Sequence, residues 1–268
     1  MPAADLSLLI DAARDAGRIA LRYWRRSPRS WDKGGGQGPV TEADLAVNTH
    51  LETVLRGARP DYGWLSEESA DDPSRLSAER CFIVDPIDGT RAFIDGQEGF
   101  SHALAVAHRG RVVAAVVHLP ARDTLYAASS DASATCNGRA ISPSDAGLQN
   151  ARVLTNRASL DPALWRGGNK PAFRREFRPS LAWRLCLAAE GRFHAALSLR
   201  PAWEWDIAAA SLIAEQAGCV VTDRTGGEMR FNTPRGLVDG VIVAGPRLHG
   251  LILQELAPID ALVGQAGR

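Results

Sequence analysis

Apolar positions along the chain recur in two rhythms. From Leu6 to Trp24 they fall every three or four residues, at Leu9, Ala13, Ala16, Ala20 and Tyr23, with Asp11, Arg14, Arg18 and Arg22 outside them. This predicts an amphipathic helix with no chemistry of its own. A second helix, carrying Leu45, Leu51, Val54 and Leu55, is predicted to open at Thr41, with Asp44 three residues on completing a capping arrangement. Tyr62–Leu65 and Cys81–Val84 read as short buried strands. Ala103–His108, Val112–Leu119 and Thr124–Ala128 read as a meander with turn signals such as Arg109-Gly110-Arg111. Beyond a loop around Asn137 to Asn150, strands (Arg152–Thr155, His194–Leu199, Cys219–Thr222, Val241–Ala244) alternate with helical patterns. Those are Leu181–Glu190 closed by Gly191, Ile207–Ala217 closed by Gly218, and Leu248–Leu256. The alternation predicts helices packed on a mixed sheet, in an α/β (α+β) chain whose halves, 1–145 and 146–268, form one unit.

Several apolar elements end in carboxylates. Cys81–Val84 runs into Asp85-Pro86-Ile87-Asp88-Gly89-Thr90, so two aspartates are expected to leave a strand end on a tight turn. Brought close, they repel each other unless a cation sits between them, and Gly89 and Thr90 offer N–H groups and a hydroxyl beside the same spot. Tyr62–Leu65 delivers Ser66-Glu67-Glu68-Ser69 in the same way. Asp206, after Trp203-Glu204-Trp205, stands at a helix start as an N-cap whose second oxygen is free to face a cation. Each has a plain structural alternative: a Pro-Asp-Gly turn, a solvated glutamate pair, a cap.

Composition narrows the function classes. The 31 basic and 31 acidic side chains cancel, so no overall field draws the chain to nucleic acid or to an anionic membrane. No run is long enough to span a bilayer and the N-terminus lacks a leader pattern, so a soluble, cytoplasmic protein is expected. Cys81, Cys136, Cys186 and Cys219 are too scattered for a zinc site or a disulfide framework, and His102, His108 and His118 fall in strands as structural residues. A glycine-rich segment, Gly34-Gly35-Gly36-Gln37-Gly38, is the flexible stretch. Hard oxygen donors without clustered histidine or cysteine point to Mg²⁺, and several carboxylates imply more than one ion. Such ions clamp phosphate oxygens and activate water, so the natural inference is phosphate-ester hydrolysis.

At these residues the sequence resembles the inositol monophosphatase superfamily. Asp85-Pro86-Ile87-Asp88-Gly89-Thr90, followed by Phe93, is similar to its first signature. Trp205-Asp206-Ile207-Ala208-Ala209-Ala210 with Glu215-Gln216-Ala217-Gly218 is similar to its second. Val40-Thr41-Glu42-Ala43-Asp44 and Ser66-Glu67-Glu68 match two further landmarks in the right order. The resemblance implies a layered α-β-α-β-α sandwich, often dimeric, needing two or three Mg²⁺ ions and inhibited by Li⁺. It implies that Glu67, Asp85 and the Ile87 carbonyl hold a first ion, that Asp85, Asp88 and Asp206 hold a second, and that a third shares Glu67. Asp44 and Thr90 would orient and deprotonate the attacking water, Gly89 and Thr90 would grip the phosphate, and Lys33 would act near the third ion.

Leu65-Ser66-Glu67-Glu68 and Leu185-Cys186-Leu187-Ala188-Ala189-Glu190-Gly191, with Pro201, look most similar to the 3′(2′),5′-bisphosphate nucleotidase branch. The expected activity is therefore conversion of 3′-phosphoadenosine 5′-phosphate to AMP, with hydrolysis of an inositol or other sugar phosphate as the alternative. Leu199 stands where inositol monophosphatases usually carry a glutamate that contacts inositol hydroxyls, whereas Thr90-Arg91-Ala92-Phe93 lacks the Lys-Glu usual in nucleotidases. Arg91, Arg157, Arg184 and Arg200 are candidates for a second phosphate and otherwise surface arginines; Ser159 and Ser180 fall near substrate loops. Trp203 and Trp205 could stack on a base, or pack under the helix. A catalytically silent binding protein on the same fold is the alternative of a different class.

Overall fold

Alanines on the buried face of the first helix let it lie close to its neighbours. In the computed structural model, which describes residues 2–35 and 38–258, α1 (Pro2–Tyr23) buries Leu9, Ala12, Ala13, Ala16 and Ala20. An antiparallel hairpin of β1 (Ser30–Asp32) and β2 (Pro39–Thr41) follows; Gly36 and Gln37 of the glycine-rich segment lie outside the described residues. α2 (Glu42–Ala58) then packs beside α1 through Val47, Leu51 and Leu55.

The chain next lays down a seven-stranded sheet in sequence order. It comprises β3 (Gly63–Ser66), β4 (Arg80–Asp88), β5 (Ser101–His108), β6 (Arg111–Leu119), β7 (Thr124–Ser129), β8 (Ala132–Cys136) and β9 (Arg139–Ala140). Only the β3–β4 pairing is parallel. Side chains alternate as the pleat demands: Phe82 and Val84 face α1 and α2, whereas Cys81 and Ile83 face the opposite core. The short helix α3 (Thr90–Ile94) links β4 to β5.

The remaining strands and α-helices among the described residues are β10 (Arg152–Thr155), β11 (Arg174–Glu176), α4 (Leu181–Ala189), β12 (Ala195–Ser198), β13 (Ala202–Trp203), α5 (Glu204–Ala217), β14 (Val220–Thr222), β15 (Leu237–Val238), β16 (Val241–Ala244) and α6 (Pro246–Glu255). Five of the strands form a mixed sheet in the order β11-β10-β12-β16-β14, and β13 pairs with β15. Every residue of α4 is buried, as befits a helix enclosed on both faces. α4 and α5 share one core with the inner faces of both sheets, and α6 covers the far face of the smaller sheet through Leu248 and Ile252. The layers thus run α1/α2, large sheet, α4/α5, small sheet, α6, the α-β-α-β-α order expected.

The structure corrects two local expectations. β4 does not stop before Asp85 but continues to Asp88, and its register against β5 shifts between those residues. A bulge is where a strand tolerates a proline, and Pro86 sits in it. α5 begins at Glu204, so Asp206 is its third residue and Trp203 occupies the N-cap. The early start is held from outside the helix, because the Glu204 carboxylate accepts from the backbone N–H groups of Asn232 and Thr233 and its own N–H donates to the Gly236 carbonyl. Among the described residues no helix is long and apolar enough to cross a membrane.

Candidate active site

The bulge gathers charge in the core. Asp85, Asp88 and Asp206 each present a carboxylate oxygen within 4.8 Å of the other two. Asp85 is 1% exposed, and neither of its carboxylate oxygens has a hydrogen-bond partner among the described residues. Burial pushes its carboxyl well above the usual range, and the charges of Glu67, Asp88, Asp206 and Asp44 push it further. Asp206 is raised in the same sense by desolvation and by Asp88 and Glu67, against a smaller opposing pull from Arg184. Asp88 is raised by burial too, but its Oδ2 accepts from Ser180 Oγ and the Ala182 N–H, both at 2.7 Å, which hold the rise back. Two bare oxygens on a buried acid would be costly on their own. Hard donors crowded to this degree fit a small divalent cation, and the donor set contains neither histidine nor cysteine.

Glu67 arrives beside them on the neighbouring strand. β3 runs parallel to β4 with Ser66 opposite Val84, and the Glu67 N–H donates to the Val84 carbonyl at 3.2 Å. Its Oε1 is held by Lys33 Nζ at 2.8 Å, and the same ammonium reaches Glu68 Oε1 at 2.5 Å. Burial alone would lower the lysine, yet the two glutamates outweigh it and Lys33 rises. Glu68 is pushed up to about 7, by burial first and against the Lys33 hydrogen bond. The structure therefore brings Lys33 to Glu67 despite the unusual loop spacing, and it places Glu67 outside the tight group of three aspartates.

Asp44 performs two tasks with two oxygens. Its Oδ2 accepts from the Thr41 N–H at 2.9 Å and the Thr41 hydroxyl at 2.5 Å, while Thr41 Oγ1 caps the first amides of α2. The capping arrangement is real. Its Oδ1 lies 3.3 Å from Thr90 Oγ1, a hydroxyl also 3.1 Å from the Ile87 carbonyl, so the single proton of Thr90 serves one acceptor at a time. Burial pushes Asp44 up to about 6, with the Thr41 hydrogen bonds pulling the other way. Gly89, at φ +97°, makes the turn from β4 into α3, and a Cβ there would come within 3.2 Å of the Gly99 carbonyl.

The other candidates separate. Arg91 lines a cavity of about 540 Å³ together with Glu67, Gly89, Thr90, Phe177 and Pro179. Arg184 is buried, feels Asp88 and Asp206, and leaves Nη1 without a partner among the described residues. Arg200 is exposed and paired with Asp161, and Arg157 is exposed. Ser159 is consumed by Asn156 and the Leu199 N–H, and Leu199 itself is core. Trp203 and Trp205 stack at 4.7 Å between centroids, and with Lys33, Glu67 and Asp206 they line a smaller cavity of about 230 Å³. The four cysteines are free. Sequence reasoning missed the backbone N–H of Ala182, which carries no side-chain signal; His102, expected as a structural residue in a strand, is buried with its Nδ1 donating to the Pro86 carbonyl inside the bulge.

Comparison with known proteins gives the chain a family. The model of the inositol monophosphatase family matches residues 3–261. The chain is 31% identical over 254 residues to the Nus factor SuhB of Pseudomonas aeruginosa, covering 90% of each chain. It is 31% identical over 258 residues to an inositol-1-monophosphatase of Mesorhizobium japonicum, covering 90% of this chain and 91% of that one. Among solved structures, the IMPase of Thermotoga maritima superposes with a TM-score of 0.80 at 26% identity, over 99% of both chains.

Proposed function

Because the chain belongs to the inositol monophosphatase family, whose members are phosphomonoesterases, we propose that it hydrolyses a small phosphorylated metabolite at the carboxylate cage, with Mg²⁺ as the required ion and Li⁺ as an inhibitor. The observation that carries this is the buried, unpartnered carboxylate of Asp85 within reach of Asp88 and Asp206. Glu67, Asp85, Asp88, Asp206 and the Ile87 carbonyl are the groups that would hold the metal. Bound there, Mg²⁺ supplies positive charge to the phosphate oxygens and acidifies water.

The chain's own residues supply the rest of the chemistry. The Thr90 hydroxyl, handing its proton toward Asp44, can accept in turn from an adjacent water. Asp44, near 6, is mostly ionised at neutral pH yet basic enough to take that proton. The N–H groups of Gly89 and Thr90, at the turn into α3, are the proposed donors to the phosphate. Lys33 keeps Glu67 and Glu68 from repelling each other and fixes the Glu67 carboxylate.

For the substrate, a 3′(2′),5′-bisphosphorylated nucleotide is favoured by the apolar, buried Leu199, which offers no carboxylate to sugar hydroxyls, and by the cavity that Arg91 and Phe177 line next to Gly89 and Thr90. An inositol phosphate is the second reading, favoured by relatives such as the Mesorhizobium inositol-1-monophosphatase. Phosphate release from 3′-phosphoadenosine 5′-phosphate and from inositol 1-phosphate, measured side by side with Mg²⁺ and with EDTA, decides between them. Mg²⁺ binding without turnover of any phosphomonoester would favour the silent binding protein.

A further inference from the structure

The bulge that brings the aspartates together has a support on the neighbouring strand. Between Asp85 and Asp88 the ladder to β5 is interrupted, so Pro86 and Ile87 lack the regular pairing that fixes a strand. A proline has no N–H to donate, and its carbonyl is left to find a donor elsewhere. That donor is His102, on β5 and fully buried, whose Nδ1 meets the Pro86 oxygen. A carbonyl only accepts, so Nδ1 must carry the proton. The ring is then the neutral Nδ1–H tautomer, with Nε2 as a buried acceptor that has no partner among the described residues.

The ring cannot swing away. The His118 ring lies tilted against it at 6.0 Å between centroids, and Phe100 packs against it in a T-shaped arrangement at 6.4 Å. His118 is itself anchored, its Nδ1 lying 2.9 Å from the Ala13 carbonyl of α1. Gly17, on the same helix, leaves the room His118 occupies: a Cβ there would lie 2.7 Å from His118 Cε1. A continuous contact thus runs from α1 through two imidazoles to the carbonyl between the two aspartates.

We propose that His102 is a positioning residue for the cation site: its hydrogen bond to Pro86 sets the bulge that turns Asp85 and Asp88 toward Asp206. This rests on the reading of those aspartates as metal ligands. Removing the donor leaves the Pro86 carbonyl buried and unpaired, and the backbone must shift to satisfy it, carrying both carboxylates with it.

The experiment compares His102→Leu with His102→Asn, whose side-chain amide places a donor where Nδ1 stands. Mg²⁺ binding is measured by calorimetry on the full chain, and melting is measured in EDTA. The leucine variant is expected to bind Mg²⁺ at least ~10-fold more weakly, and the asparagine variant to recover to within ~3-fold of wild type. Equal binding by wild type and the leucine variant would overturn the proposal, as would an asparagine variant that melts normally and binds as poorly as leucine. A wild type that binds no Mg²⁺ would instead remove the metal reading. Should the leucine variant fail to fold, the ¹⁵N shifts of the wild-type imidazole decide: a protonated Nδ1 upholds the assignment, and an Nε2–H tautomer with a bare Nδ1 overturns it.

Discussion

Asp85→Asn should make the metal-free protein more stable and the metal-loaded one less so. With like charges no more than 4.8 Å apart, each ionised pair costs at least ~3.5 kcal/mol at an effective dielectric of about 20. The folded chain escapes part of this by holding protons, as the raised carboxyls of Asp85 and Asp206 imply. Replacing the Asp85 carboxylate by an amide removes one charge and lets its N–H groups donate to Asp88 or Asp206. A gain of ~2 kcal/mol remains after the amide's own burial is offset, which is a rise of roughly 4–8 °C in melting temperature for a chain of this size. The sign with pH follows from linkage. A carboxyl raised in the folded state destabilises fully above its folded value and not at all below its unfolded value near 3.8, so the gap between variant and wild type should close as pH falls. With Mg²⁺ at 100 times its dissociation constant the wild type gains ~2.7 kcal/mol, and a variant that no longer binds the ion gains nothing, so the order of stability reverses by ~0.7 kcal/mol. Calorimetric scans in EDTA and in Mg²⁺ at several pH values test both halves. A variant that melts below wild type in EDTA at neutral pH would refute the reasoning, because Asp85 would then be a satisfied structural acid.

Two further substitutions follow from the same geometry. Asp88→Asn should keep the fold, since an amide oxygen can still accept from Ser180 and Ala182, while losing several kcal/mol of charge stabilisation, a ~10³-fold fall in turnover; near-normal activity in a phosphate-release assay would remove it from the cage. Gly17→Ala should destabilise by ~1–3 kcal/mol despite the better helix propensity of alanine, because its Cβ meets His118 and Pro120 at 2.7 and 2.9 Å. An unchanged or raised melting temperature would show that α1 and the His118 ring are not in close contact.

The large elements were legible because burial wrote them into the spacing of apolar residues. α1, with its alanine face, follows from period, and the β5–β6–β7 meander from apolar runs separated by turn signals. The metal candidates could be found because a charge at the end of an apolar run has to be explained. What remained hidden was held by distant partners. No local pattern shows that Glu204 will be satisfied by the amides of Asn232 and Thr233, and so none places Asp206 inside the helix rather than at its cap. The continuation of β4 past Asp85 was obscured for a similar reason. Pro86 reads as a strand breaker until the bulge and the His102 donor across the sheet are seen together.

The cage draws on separate layers, and that has a thermodynamic consequence. Asp85, Asp88 and Glu67 come from or beside two strands of the large sheet, Asp206 from a helix of the central layer, and Asp44 from the outer helix. No single element can form the site alone, so the repulsion among the carboxylates acts between layers and works against docking α5 on the sheet. Burial of Ile207, Leu212 and Ile213 with the sheet's inner face opposes that repulsion. A cation held in the proposed cage would reverse its sign, turning a contact that strains the metal-free fold into one that holds the layers together. Asp44 couples the outer layer differently: the oxygen spent on capping α2 fixes the direction of the oxygen that faces Thr90, so a group that stabilises the helix also aims the proposed base.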